Sequence, residues 1–292
     1  MSFGRLITAM VTPFNEQLQI DWEATARLID YLIEEQKSDS LVISGTTGES
    51  PTLSDEEKVA LFRFSVKHAA GRAKIIAGTG SNETAHSVQL TKQAELAGVD
   101  GILLVAPYYN KPSQEGIYQH FRTIAEATTL PVILYNVPSR TVVSLSSETT
   151  LRLAQIPNIV ATKECASLSQ MIEIVSGAPE GFVLYSGDDA VTLPTLSVGG
   201  YGIISVASHL IGAKMKELIS AYLEGRVQDA IAINAECYPI FNGLFNCPHP
   251  VPNPVAVKYA LSRRGVPVGG VRLPLVPATD AEANFLNNLL DA

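Results

Sequence analysis

Cysteine is scarce in this chain: three in 292 residues, at positions 165, 237 and 247. An odd and widely spaced set excludes a disulfide scaffold and a zinc cluster, and it fits a reduced, cytosolic protein. Charge is also low. Only 17% of residues are charged while 46% are hydrophobic, which excludes a disordered chain and requires a large buried core. Basic residues are the rarer sign, 21 against 29 acidic, and the net charge of −8 argues against a general nucleic-acid binder. No apolar run approaches the ~18–20 residues needed to cross a bilayer. Met1 to Met10 pass straight into a strand-like segment and lack the long apolar stretch of a signal peptide. The expectation is a cytoplasmic protein whose partners include neither nucleic acid nor membrane. The five histidines (68, 86, 120, 209 and 249) show no metal-ligand spacing, so no catalytic metal is expected. Gly78-Thr79-Gly80-Ser81-Asn82 matches neither G-x-G-x-x-G nor a Walker loop, which argues against a nucleotide cofactor.

What the chain does have is rhythm. Eight short apolar runs alternate with helical patterns: Leu6 to Met10, Leu41 to Ile43, Lys74 to Ala77, Gly101 to Val105, Pro131 to Tyr135, Ile159 to Thr162, Phe182 to Tyr185 and Gly202 to Val206. Their starts recur every ~20–35 residues, the size of a strand–helix unit. Several helices carry their own punctuation. Ser54 and Glu57 form a capping box before a helix reaching about Ala70, stopped by Gly71. Glu83 to Ala97 is amphipathic and stops at Gly98, and Ser113 opens a helix running to about Thr128. The runs are apolar without strict alternation, as strands buried on both faces should be. An α/β architecture follows, a (β/α)8 TIM barrel over residues 1–224. The main competitor, an open doubly wound sheet, usually has a Gly-rich first turn, where this chain has Val11-Thr12-Pro13-Phe14. Residues 225–292 continue as a small C-terminal appendix of three helices, Val227 to Phe245, Pro254 to Arg264 and Asp280 to Leu290, the last with a Thr279/Glu282 capping box.

In a parallel barrel the reactive groups sit at the carboxyl ends of strands. Those ends read Ser44-Gly45-Thr46-Thr47-Gly48-Glu49-Ser50, Pro107-Tyr108-Tyr109-Asn110, Tyr135-Asn136-Val137-Pro138-Ser139-Arg140-Thr141, Lys163-Glu164 and Ser186-Gly187-Asp188-Asp189. Each has two readings. Lys163, closing a buried run, is either a packed side chain whose head reaches water, or an amine left neutral by desolvation and able to attack a carbonyl. The Gly45–Gly48 stretch is either a flexible turn or an anion cradle. Tyr108 and Tyr109 could pack at an interface, Tyr135 is either core or proton relay, and Arg140 either a surface ion-pair residue or a carboxylate clamp. Asp188-Asp189 fits helix capping at Val191 better than a metal pair. Cys165 has no evident base nearby and reads as a small packing residue.

Together these segments resemble the dihydrodipicolinate synthase (4-hydroxy-tetrahydrodipicolinate synthase) family, within the N-acetylneuraminate lyase superfamily of class I aldolases. The resemblance runs from Leu6 to the Leu273-Pro274-Leu275 stretch, and its most specific element is Tyr135-Asn136-Val137-Pro138-Ser139-Arg140-Thr141. The sialic-acid lyases share the start of that motif but lack the arginine. The resemblance implies condensation of pyruvate with L-aspartate 4-semialdehyde through a lysine Schiff base, a lyase step of lysine and diaminopimelate biosynthesis that needs no cofactor. It implies Lys163, Tyr135, Thr46 and Tyr109 as catalytic residues, Tyr109 acting across a subunit boundary. Thr46 and Thr47 would hold the pyruvate carboxylate, Arg140 that of the semialdehyde, and the backbones of Gly187 and Ile204 would line the pyruvate pocket. A homotetramer built as a pair of tight dimers is implied too. In members inhibited by lysine, histidines and a glutamate bind it at the tight interface; Asp55, Lys58 and His86 stand at the matching positions, so feedback by lysine is expected to be weak or absent. The rivals are a pyruvate-dependent aldolase acting on a sugar acid, and a silent barrel that only binds a keto acid.

Overall fold

The computed structural model describes residues 3–291. Eight parallel strands close into a barrel in sequence order: β1 (Leu6–Ala9), β2 (Ser40–Ile43), β3 (Lys74–Gly78), β4 (Gly101–Val105), β5 (Val132–Asn136), β6 (Ile159–Glu164), β7 (Val183–Ser186) and β8 (Gly202–Ser205). The expected TIM barrel is present. Helices cover the outer face of the barrel, so strand residues are buried on both sides.

Alternation along the strands divides the core in two. Ile7, Val42, Ile76, Leu103, Ile133, Ala161 and Ile204 point inward and fill the barrel, with Tyr135 and Tyr185 in the same cluster. The opposite faces join the helices in one larger cluster, which extends to Val255, Leu261 and Leu286 in the C-terminal helices. The period of two decides the site. With Ala161 facing inward, Lys163 must face inward as well, and Thr162 and Glu164 point toward the helices. Register then sets Lys163 between Tyr135 on β5 and Tyr185 on β7.

The local signals act as expected. Ser54 and Glu57 exchange both bonds of a capping box, and helix Asp55–Ala69 ends at Ala70 in the left-handed region followed by Gly71 at φ +80. Glu83 caps Thr84–Leu96, and Ser113 caps Gln114–Ala125. This last helix stops short of Thr128 because the hydroxyls of Thr128 and Thr129 bond the Glu95 carboxylate instead. After the barrel come helices Val227–Gly243, Val255–Arg263 and Asp280–Asp291, and Glu282 closes the box with Thr279. None of the described helices is long and apolar enough to cross a membrane.

Candidate active site

A cavity of about 540 Å3 opens at the carboxyl ends of the strands. Ser44, Gly45, Thr46, Tyr135, Val137 and Arg140 line its inner part, and it continues outward past Tyr108 to Ser81, Asn82, His86 and Lys58. Thr46 follows β2 and Tyr135 stands on β5, while Arg140 lies on the short helix Pro138–Thr141.

Lys163, paired in register with the cavity-lining Tyr135, is only 5% exposed. Its ammonium nitrogen sits 4.3 Å from the centroid of the Tyr135 ring. Among the described residues none of the ion pairs includes Lys163. Burial lowers its pKa below the ordinary lysine range; Cys165 and Asp189 oppose that pull, and the positive Arg140 adds to it. Tyr135 shows the converse. Burial raises its phenol above the usual range, while a hydrogen bond with Thr46 and the charge of Arg140 draw it down. Thus the amine is biased toward its neutral form and the phenol toward its protonated form, with Thr46 lining the same cavity as the phenol. That is the equipment of a nucleophile beside a proton carrier.

Gly187 is required where it stands. A Cβ there would come within 2.3 Å of the Cys165 sulfur and 2.7 Å of Lys163 Cε, so only glycine lets the chain after β7 pass the lysine. Cys165 is the packing residue expected. Burial raises its thiol to about 11, against the charge of Lys163, so it stays protonated at neutral pH. Ile204 is fully buried in the barrel interior, in the same cluster as Tyr135.

The other residues singled out are more scattered. Thr47 is buried, and its hydroxyl accepts a hydrogen bond from Asn253 Nδ2 at 2.9 Å. Thr47, Lys163, Gly187 and Ile204 are not lining residues of the open cavity. Tyr109 is not either. It is 88% exposed and has φ +74, a left-handed conformation rare for an aromatic residue. The single chain therefore brings Lys163, Tyr135, Thr46 and Arg140 together and leaves Tyr109 projecting from the rim.

Asp188-Asp189 divides its work. Asp188 caps the turn Asp189–Val191, as its sequence position implies, through Ala190 N–H. Asp189 is fully buried, and its Oδ2 accepts from Val206 N and Ala207 N, tying the end of β7 to the loop after β8. Nothing in the local sequence distinguishes the two aspartates. At the outer mouth, burial raises the Asp55 carboxyl, but the His86 hydrogen bond and the Lys58 charge outweigh it and hold it below the usual range. His86 Nε2 is 2.7 Å and Lys58 Nζ 3.3 Å from it.

Sequence comparison accords with this geometry. A profile of the dihydrodipicolinate synthetase family matches residues 2–292. The chain is 54% identical to the 4-hydroxy-tetrahydrodipicolinate synthase of Bacillus subtilis, covering 99% of each protein. It is 55% identical to 4-hydroxy-tetrahydrodipicolinate synthase 1 of Halalkalibacterium halodurans, over 98% of this chain and 96% of that one. The crystal structure of a dihydrodipicolinate synthase from Bacillus anthracis superposes with a TM-score of 0.97 at 48% identity, covering 100% of this chain and 99% of the other. A barrel of eight strands, an inward lysine beside a phenol, and identity sustained from end to end have one common explanation: the chain belongs to the dihydrodipicolinate synthetase family.

Proposed function

We propose that the protein catalyses the 4-hydroxy-tetrahydrodipicolinate synthase reaction, condensing pyruvate with L-aspartate 4-semialdehyde. The observation that carries this reading is the buried Lys163 held over the Tyr135 ring, with Thr46 and Tyr135 lining one cavity. The Lys163 amine adds to the pyruvate ketone, and loss of water gives a protonated imine. That imine is the electron sink, so the reaction needs no metal or cofactor. A methyl proton leaves to give the enamine, whose carbon attacks the semialdehyde aldehyde. The amine of the adduct then adds to the imine carbon, closing the ring and releasing Lys163.

Tyr135, Thr46 and Tyr109 carry protons between these steps. Thr46 and Thr47 hold the pyruvate carboxylate, Arg140 grips the semialdehyde carboxylate, and the Gly187 and Ile204 backbones close the pocket. Tyr109, projecting from the rim, serves the site of a second copy. The assembly that follows is a homotetramer made of two tight dimers, cytoplasmic, with residues 1–224 carrying the active site and 225–292 packed against it. Lysine inhibits weakly or not at all, because Asp55 is already engaged by His86 and Lys58. A structure with lysine bound is known for the relative from Cyanidioschyzon merolae, at 43% identity, which offers a direct comparison in a steady-state inhibition assay.

The test is borohydride trapping. Pyruvate plus reductant should add one three-carbon unit to the chain, and peptide mapping should find it on Lys163. Label on another residue, or none, would remove the reading. Product analysis with sugar-acid aldehydes in place of the semialdehyde checks the substrate.

A further inference from the structure

The loop that carries the paired threonines is fastened from the far end of the chain. Glu49, its last residue, is 2% exposed with φ +56. Its Oε1 lies 2.7 Å from Lys258 Nζ, and its Oε2 accepts from Arg272 N at 2.9 Å. Lys258 is itself buried, donates to Gly270 O at 2.6 Å and stands 4.3 Å over the Phe14 ring. Arg272 continues the clamp with two bonds to Glu57, at 2.6 and 2.8 Å, and one to Thr52 O. Within this frame Asn253, just before helix Val255–Arg263, donates from Nδ2 to Thr47 Oγ1.

A threonine hydroxyl has one proton and two lone pairs. With one lone pair taken by the Asn253 amide, the Thr47 proton stays free for another acceptor. A carboxylate accepts and cannot donate, so this is the polarity that pyruvate requires. An acceptor in place of the Asn253 amide would draw the Thr47 proton away and turn lone pairs toward the anion.

We propose that Asn253, seated by the buried Glu49–Lys258 pair, is a positioning residue that orients the Thr47 hydroxyl to donate to the pyruvate carboxylate. It acts through Thr47 and is not itself a catalytic residue. The inference rests on the functional reading above, since it concerns the same pocket.

The experiment uses the full-length protein and borohydride trapping at Lys163, titrated with pyruvate and, separately, with pyruvamide, which keeps the ketone but lacks the negative charge. Asn253→Ala should raise the half-saturating pyruvate concentration about 2- to 10-fold, the worth of one neutral hydrogen bond. Asn253→Asp should raise it about 10- to 100-fold, because an acceptor and a like charge replace the donor. Pyruvamide should shift less than about twofold in both variants, as no charged group is then being recognised. Equal shifts for the two ketones would make Asn253 a structural residue only, and no shift in either would overturn the inference outright. If Asn253→Asp does not fold, the pyruvate-to-pyruvamide ratio of Asn253→Ala decides between the same outcomes. Lys258→Arg should keep the wild-type ratio, whereas Lys258→Met should move it in the direction of Asn253→Ala; an unmoved ratio in Lys258→Met removes the ion pair from the proposal. A wild type that forms no Lys163 adduct sinks the functional reading. A normal wild-type adduct with unshifted variants sinks this inference alone.

Discussion

Lys163 and Lys258 share a description and differ in character. Both are buried, at 5% and 2% exposure, and each holds its ammonium nitrogen 4.3 Å from an aromatic centroid, Tyr135 for one and Phe14 for the other. Lys258 also has a carboxylate at 2.7 Å and a carbonyl at 2.6 Å. Burial brings it down to about 8, with Glu49 pulling the other way. Lys163 has no such carboxylate among the described ion pairs; Cys165 and Asp189 influence it only through space, and Arg140 repels its charge. Desolvation is common to the two sites. What separates a structural lysine from a nucleophile is whether the fold also supplies something for the ammonium to bind.

That contrast can be broken experimentally, beginning with its largest consequence. Lys163→Met should lower turnover by on the order of 10^4-fold or more and abolish the pyruvate adduct. Its melting temperature should be unchanged or higher, because a desolvated amine has been replaced by apolar volume. Lys258→Met should instead lose stability while still forming the adduct at saturating pyruvate. Leaving Glu49 buried without its cation should cost about 3–5 kcal/mol in denaturant unfolding. The double variant Glu49→Gln with Lys258→Met should recover much of that loss. Equal stability losses at the two lysines would erase the distinction.

A third test concerns Glu164, the neighbour of Lys163 on the outer face of β6. It accepts hydrogen bonds from Asn136, Ala166 N and Gln170, yet burial prevails and raises its carboxyl to about 7. The native state then holds a proton that the unfolded chain releases above about 4.5. Stability from this group is therefore present at low pH and lost as pH rises toward 7, by up to about 3 kcal/mol. Glu164→Gln should flatten that slope in unfolding experiments across the window; a parallel slope would contradict the assignment. The smallest effect is expected at the rim. Tyr109→Phe should slow turnover by about 10^2-fold while leaving the Lys163 adduct intact.

Sequence reading reached the barrel and the inward placement of Lys163 for different reasons. The barrel was legible because eight apolar runs and their caps are local features. The strand edges moved by a residue or two: Pro131 precedes β5 and its carbonyl accepts from Ile102 N, while β6 runs on to include Lys163 and Glu164. Lys163 and Tyr135 were legible because a period of two commits a strand-end residue to one face. The C-terminal contacts were not. Asn253 meets Thr47 across 206 residues of chain, with no spacing rule to relate them. Glu49 belonged to a visible motif, but its partners Lys258 and Arg272 sit among ordinary helix and loop residues. Asp189 was hidden by its twin, because capping explains one aspartate of the pair and says nothing of the other.

The attachment of residues 253–272 to the loop at 45–49 carries a consequence for how the molecule is made. A ribosome delivers Glu49 early, and its carboxylate must wait in an incomplete structure until Lys258 and Arg272 have emerged. Fragments ending before that point leave Glu49 solvated and Thr47 without Asn253, so the loop at 45–49 takes its final form only once residues 253–272 have been made.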